Sequence, residues 1–249
     1  MSNKKIKPWL ADDKEPYHGK DPFFYDPEKF PWVKYVEDNW EVFRDEMQVV
    51  VQDHYDSMVA YPDLEKTDKK DAWHTLGLMY WTIRSRTAIK LFPKTWEIMR
   101  KIPYLSSCSF HELAPYSTIK PHIGDTNAMV RCHIGLVIPE QAPRCGIRVG
   151  TETKCWQEGK VLMFNVAHEH TAWNNTDRNR YVLSFDVMRP EFENRKYWIA
   201  SQVLGKIYVE VLYQHLAWLR KLFNAGWVKN ILFKTAKSSM YLYAFLKAK

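Results

Sequence analysis

The residues best suited to chemistry lie between Pro121 and Val187, in the runs PHIGDTN, VRCHIGLVIP, KVLMFNVAHEHTAWNN and DRNRYVLSFDV. His122, His170, Arg131 and Arg180 sit on or beside short alternating stretches of that segment. Imidazole is a common ligand for mid-row metals, and two imidazoles with a carboxylate form the facial triad of non-heme Fe(II) sites, often written HxD…H. A planar guanidinium clamps a carboxylate with two parallel hydrogen bonds. Two of each within one short region suit a non-heme iron centre that holds a dicarboxylate co-substrate.

Spacing alone leaves parts of this open. Residues two apart on an extended backbone share a face, so the position paired with His122 is Gly124, while Asp125 falls off that face. In the run HEH either His168 or His170 is a possible ligand. Arg131 and His133 alternate with Val130, Cys132, Ile134 and Leu136, which puts Arg131, His133 and Gly135 on one face of a strand. On a second strand Arg180, Val182, Ser184 and Asp186 face one way, and Tyr181, Leu183, Phe185 and Val187 the other. A buried cation needs an anionic partner. For Arg180 that partner is either an acid of the protein, Asp186 or Glu169, or the far carboxylate of a bound dicarboxylate.

The elements that must position these groups follow from periodicity. Residues 1–31 are polar and rich in Pro, Lys and Asp, and read as an extended arm. From Trp32 to His54, Val36, Trp40, Phe43, Met47 and Val50 recur at three and four, which predicts an amphipathic helix. WHTLGLMYWTI is a dense apolar stretch, and PKTWEIMRKIP is a short helix bracketed by Pro93 and Pro103. After Pro103 come seven or eight short β-branched or aromatic runs separated by turn residues, which argue for an antiparallel barrel or jelly roll. Beyond Pro190 an apolar stripe of Val203, Ile207, Val211, Leu212, Leu216, Leu219, Leu222 and Phe223 predicts helix again. The reading is therefore mainly β with flanking helices: an arm over 1–31, a domain over 32–192 whose β core starts near 104, and a helical tail over 193–249.

With those residues in view, the chain resembles the aspartyl/asparaginyl β-hydroxylase family of Fe(II)/2-oxoglutarate dioxygenases. The resemblance runs from about Leu105 to Phe192 and rests on the ordered set PHIGDTN, RCHIGLVIP, WxEGKVLxF, EHxxW and DVxxPE. It implies a double-stranded β-helix core of the cupin type, with Fe(II), 2-oxoglutarate and O2 as metal, co-substrate and oxidant. It further implies His122 and His170, not His168, as metal ligands, with Gly124 where other oxygenases have the carboxylate ligand. Arg180 takes the place of the arginine that holds the distal carboxylate of 2-oxoglutarate, and Arg131 and His133 match residues that contact the co-substrate's carboxylates. A serine that helps this family bind 2-oxoglutarate aligns here near His111, with Ser109 two residues before it. The expected outcome is hydroxylation of a C–H bond, with succinate and CO2 as co-products. The expected substrate is an Asp- or Asn-like residue, an amino acid or a peptide. Two alternatives stand beside it: a membrane-surface hydroxylase acting on a lipid acyl chain, and a non-catalytic β-barrel binding module.

Composition bounds the partners. The net charge of +7 is uneven: residues 195–249 hold ten Lys or Arg against one acid, Glu210, and carry +9, so the remainder is −2. A basic helical tail with Trp198, Trp218, Trp227, Tyr241, Tyr243 and Phe245 either packs on the core or lies on an anionic membrane surface. No recognition motif supports nucleic acid. Cys108, Cys132, Cys145 and Cys155 lack paired zinc spacing and read as buried free thiols. Neither a secretory signal nor a membrane-spanning run is expected, which points to the cytoplasm or the inner face of the membrane. Oligomeric state is left open.

Overall fold

The computed structural model describes residues 7–11, 16–61, 63–215 and 226–247. Two antiparallel sheets carry the candidate site. In the larger, the order is β1 (Phe24–Tyr25), β10 (Val161–Phe164), β7 (Met129–Val137), β12 (Arg180–Met188), β5 (Leu105–Leu113), β3 (Trp73–Tyr80) and β2 (Val59–Ala60), with β4 (Ile83–Arg84) hairpinned onto β3. The smaller holds β6 (Ser117–His122), β11 (His170–Asn174), β8 (Cys145–Val149) and β9 (Glu152–Lys154) in that order. Trp73, Leu113, Phe164 and Val182 of the larger sheet pack with Ile119, Ile147, Val149 and Ala172 of the smaller. The sheets therefore face each other around an interior, as in a double-stranded β-helix.

The outer face of the larger sheet is the main core. Val130, Cys132, Ile134, Leu136, Leu183 and Phe185 point outward, as period two requires, and pack beneath α1 (Trp32–Glu37), α2 (Trp40–Asp53), α3 (Arg86–Leu91) and α4 (Pro93–Met99). Those helices contribute Val36, Phe43, Met47, Val50, Trp96 and Met99. Each such side chain, fully buried, contributes roughly 1.5–3 kcal/mol. This layer makes the sheet a rigid floor, and the residues of β7 and β12 that point the other way are left to line the interior.

Three features depart from the sequence reading. The helix expected over Trp32–His54 breaks at Asp38–Asn39, where the Asn39 amide donates to the Tyr35 carbonyl (2.8 Å) and competes with continuation of the helix. The apolar stretch after Ala72 is strand, so the sheet starts well before residue 104. Its β3–β4 hairpin turns on Trp81 (φ 47°) and Thr82 (φ 71°). Two positive φ values match the favoured twist of a two-residue hairpin but are costly for residues other than Gly, Asn or Asp. Trp81 is held there by burial and by its N–H donating to Ser107 Oγ (3.1 Å), and the Thr82 N–H donates to the Ser106 carbonyl (2.7 Å).

The arm, finally, is not loose where it is described. Phe24 and Tyr25 extend the sheet beside β10, the Trp9 N–H donates to Asn127 Oδ1 (2.8 Å), and Asp21 pairs with Arg189 (2.7 Å). These pairings span more than 100 residues of sequence, so no local pattern announces them.

In the tail, α5 (Lys196–His215) packs on α6 (Gly226–Lys247). Ile199, Ala200, Val203 and Leu204 of α5 bury against Trp81, Met129, Met188 and Phe192. Part of the tail is thus core. Leu216, Leu219, Leu222 and Phe223 of the expected stripe, with Trp218, lie outside the described residues. No described helix is long and apolar enough to cross a membrane. All four cysteines are free; Cys108, Cys132 and Cys145 are buried and Cys155 is half-buried.

Candidate active site

His122 closes β6 and His170 opens β11, and the two are direct cross-strand partners with ring centroids 4.2 Å apart. A carbonyl oxygen only accepts hydrogen bonds, so His122 Nδ1 donates to the Lys120 carbonyl (2.8 Å) and His170 Nδ1 to the His168 carbonyl (2.9 Å). Both rings are thereby held as the tautomer whose Nε2 lone pair is available to a metal, each with a backbone acceptor behind it. Burial lowers the His122 pKa to about 4 and the His170 pKa well below the usual range, the latter with a further contribution from the His122 ring. The rings are therefore neutral and competent to ligate at neutral pH. His168 is engaged elsewhere: its Nε2 donates to the Asp21 carbonyl (2.8 Å) and its ring meets Tyr17 and Phe23 edge-on. It pins the arm.

Two further histidines are held the opposite way round. Indole N–H only donates. Trp73 Nε1 donates to His111 Nδ1 (3.0 Å) and Trp156 Nε1 to His133 Nδ1 (3.2 Å), so in both rings the proton sits on Nε2. His111 passes its Nε2–H to Ser109 Oγ (2.7 Å), and among the described residues no protein group accepts that of His133. Burial, then the cations Arg131 and Arg180, lower the His111 pKa to about 3; burial, then His111 and the same arginines, hold that of His133 well below the usual range. One side-chain type thus takes two forms, decided by what binds Nδ1: a bare Nε2 on His122 and His170, and an Nε2–H on His111 and His133.

The arginines differ as sharply. Arg131 forms a two-pronged bridge to its cross-strand neighbour Asp186 (Nε–Oδ1 2.8 Å, Nη2–Oδ2 3.0 Å) while also lining the cavity. Arg180 is 2% exposed, its Nε has no partner, and its guanidinium lies 4.4 Å from the Trp156 ring centroid. The protein bridge considered for it is absent. Asp186 belongs to Arg131, and Glu169 pairs with Arg148 (2.9 Å). Among the described residues no carboxylate meets Arg180. Burial pulls its pKa down to about 10, which still leaves it cationic at neutral pH. A buried charge without a partner costs several kcal/mol, so Arg180 is the interior's candidate for meeting an anion.

These side chains converge on two connected spaces. An inner cavity of about 460 Å³, open mouth included, is lined by His133, Arg180, Phe164, Ala172 and Val182. An outer one of about 750 Å³ is lined by Tyr61, Lys66, Trp81, Asp125 and Asp186. His111, His122, Arg131, His170 and Ser184 border both, so the metal-competent imidazoles stand at the junction. No cluster of three or more metal-binding side chains exists among the described residues. At Gly124, where the resemblance puts the missing carboxylate ligand, a Cβ would lie 2.7 Å from the Val166 side chain, so the backbone leaves no room for a side chain. The residues present fit a metal held by two neutral imidazoles, its other positions left to solvent or co-substrate, and a dicarboxylate whose far end reaches Arg180.

Gly124→Asp is accordingly expected to cost stability, roughly 1–3 kcal/mol for overpacking against Val166, and to lower turnover instead of completing a triad. Thermal melts with a turnover assay check this; an unchanged melting temperature contradicts it.

A family model described as aspartyl/asparaginyl beta-hydroxylase matches residues 37–190. The chain belongs to the aspartyl/asparaginyl β-hydroxylase family. An ornithine lipid ester-linked acyl 2-hydroxylase from Rhizobium tropici is 35% identical over 173 residues, covering 68% of this chain and 61% of that protein. The human aspartyl/asparaginyl beta-hydroxylase is 35% identical over 164 residues, covering 64% of this chain but 21% of the human protein. The match to the first of these thus spans about three fifths of the relative's length, and to the second about one fifth. A solved prolyl-4-hydroxylase from Pseudomonas putida superposes with a TM-score of 0.42 at 12% identity, covering 64% of this chain and 100% of that one.

The family match takes in all five side chains singled out from sequence, His122, Arg131, His133, His170 and Arg180, and the structure brings all five to the one interior. Sequence reasoning assigned no role to Trp156, though it stands in the quoted run WxEGKVLxF. Trp156 fixes the His133 tautomer and backs Arg180. Trp73, stacked on Tyr61 at 3.6 Å, does the same for His111. The signal for such indoles is a partner on another strand, which one sequence does not reveal. Gly135 is a similar case: a Cβ there would lie 2.5 Å from the Gln157 carbonyl, so this glycine lets the segment bearing Trp156 close over β7.

The buried neutral histidines of this β-hydroxylase family member set an acid limit. Their folded pKa values lie below the unfolded value of about 6.5, so the unfolded state binds more protons between the two. The stability they contribute is complete above about 6.5 and is lost as pH falls towards 3–4, at about 1.4 kcal/mol per pH unit for each histidine that titrates only on unfolding. Urea melts between pH 7 and 4 are expected to show this slope; a flat profile contradicts the burial described.

Proposed function

We propose that this chain is an Fe(II)- and 2-oxoglutarate-dependent hydroxylase. The observation that carries the reading is the buried, partnerless guanidinium of Arg180 in the same interior as two neutral imidazoles with free Nε2 lone pairs. His122 and His170 hold the metal. Arg180, stiffened by Trp156, holds the distal carboxylate of the co-substrate, and the His133 Nε2–H with Arg131 serves the near one. Iron and 2-oxoglutarate, once bound, supply the oxidation of a C–H bond by O2, with succinate and CO2 released. Phe164, Val182 and Ile147 give the inner cavity apolar walls, which strengthen the charge interactions beside them.

The substrate proposed is an Asp- or Asn-like residue, an amino acid or a peptide presented in the outer cavity. A lipid acyl chain is the second reading, favoured by identity to the rhizobial lipid hydroxylase and by the surface of α6. There Ile231, Leu242 and Leu246 are more than half exposed beside Lys234. Binding to anionic vesicles at low salt supports the lipid reading, and no binding removes it.

The test of the hydroxylase itself is Fe(II)-dependent conversion of 2-oxoglutarate to succinate, which proceeds slowly even without the prime substrate. Turnover that chelation of iron abolishes is the expected result. A chain that binds neither iron nor 2-oxoglutarate is a binding module on the same fold.

A further inference from the structure

Cys145 and Cys155 take no part in the chemistry described above, yet they stand directly behind it. Cys145, the first residue of β8, is fully buried in the cluster that holds Trp156, Phe164 and Val182. Cys155 is half-buried and lies just past β9, where the β8–β9 ladder has ended at the Ile147–Lys154 pair. There the two thiols come within hydrogen-bonding reach of each other. The Cys155 thiol also reaches the Glu140 carbonyl (3.7 Å). The hydrogen bond from Cys145 draws the Cys155 pKa down to about 7 against burial, helped by the Ala142 and Trp156 backbones and by Arg180. The same hydrogen bond, with burial, pushes the Cys145 thiol up. A half-exposed sulfur that ionises readily, beside a buried thiol, suits oxidation of the first and resolution by the second. Both sulfurs lie close enough to act on the charge of Arg180. Cys155 also immediately precedes Trp156, whose indole N–H fixes the His133 ring and whose face backs Arg180. Two thiols must close to about 2.0 Å to form a disulfide, and the backbone that carries Trp156 must follow Cys155.

We propose that a hydroperoxide oxidises Cys145 and Cys155 to a disulfide, and that this bond displaces Trp156 and weakens dicarboxylate binding at Arg180. The Cys155 thiolate attacks one peroxide oxygen, the O–O bond breaks, and the departing oxygen takes a proton and leaves as water. Cys155 is then a sulfenic acid. The Cys145 sulfur attacks it, the S–O bond breaks, and the released hydroxide leaves as a second water with the Cys145 proton. The two thiols together lose two electrons and two protons, and hydrogen peroxide is reduced to two waters. The disulfide stands without the hydroxylase reading; the loss of 2-oxoglutarate binding rests on it.

The test treats the full metal-free chain with a small excess of hydrogen peroxide, which catalase then removes. Proteolytic peptides are mapped by mass spectrometry, and 2-oxoglutarate binding is measured by calorimetry with Zn(II) in place of iron. A Cys145–Cys155 link is expected, with Cys108 and Cys132, both fully buried, still free. A misplacement of about 1 Å can cost up to about a hundredfold, so 2-oxoglutarate affinity is expected to fall at least about tenfold and to recover with dithiothreitol. Cys155→Ser and Cys145→Ala are expected to bind 2-oxoglutarate like the reduced wild type and to ignore peroxide. Cys155→Ser, at the half-buried position, keeps the comparison intact if Cys145→Ala unfolds. Cys155 carried to sulfinic acid while Cys145 stays free overturns the proposal, as does a disulfide that leaves 2-oxoglutarate affinity unchanged. A reduced chain that binds no 2-oxoglutarate removes the hydroxylase reading instead, and the peptide map alone then decides the thiol pair.

Discussion

The variant His122→Ala is expected to keep its fold and lose its chemistry. His122 is half-buried at a strand end, and the Lys120 carbonyl it now contacts can turn to water. Little packing is lost, so the melting temperature should stay close to that of the wild type. On the proposed reading the metal, by contrast, loses one of its two imidazole ligands. Loss of a mere outer partner of a ligand costs 10- to 100-fold in metal affinity or activity, so loss of the ligand itself should exceed about 100-fold. The measurement is iron content after gel filtration together with succinate formation. His168→Ala is the paired control: it should loosen the arm, because the bond to the Asp21 carbonyl goes, yet retain iron. If His122→Ala keeps substrate-dependent succinate formation, or if His168→Ala loses iron to the same degree, the assignment of the imidazoles is wrong.

The second large effect has two signs. Arg180→Met should weaken 2-oxoglutarate binding by roughly 2–5 kcal/mol, the usual cost of truncating one partner of a buried charge pair, or about 30- to several-thousand-fold. The same substitution should raise the melting temperature of the ligand-free protein, because it replaces a buried unpaired charge with an apolar side chain of similar length. A structural bridge behaves otherwise, since breaking one leaves an uncompensated charge and destabilises the fold by about 3–5 kcal/mol. Calorimetric binding of 2-oxoglutarate and a thermal melt, taken together, separate the two roles. A fall in stability without change in 2-oxoglutarate affinity makes Arg180 part of the scaffold.

What the sequence showed and what it hid divide along a physical line. Alternation in Val130–Leu136 and Arg180–Val187 placed the polar face of each strand correctly, because period two is a property of the backbone and one face of this sheet is fully apolar. The same rule left HEH ambiguous: His168 lies just before β11, in irregular backbone, so the face-sharing argument does not reach it. Which acid would bridge which arginine was equally hidden. Asp186 and Arg180 share a strand face, but the cross-strand register sets Asp186 opposite Arg131. The tautomers depend on Trp73 and Trp156, brought from 38 and 23 residues away. The strand over Trp73–Tyr80 lacks clean alternation because both its faces are partly covered, so its apolar run did not distinguish strand from buried helix.

The central claim is that a metal at His122 and His170 and an anion at Arg180 occupy one interior. The most direct measurement is an anaerobic titration of the full chain, first with Fe(II) and then with 2-oxoglutarate, followed by visible charge-transfer absorption. The account predicts one iron per chain and a 2-oxoglutarate-dependent band that is absent in His122→Ala and shifted to much higher 2-oxoglutarate concentration in Arg180→Met. A band with wild-type midpoint in Arg180→Met, or stoichiometric iron in His122→Ala, contradicts it.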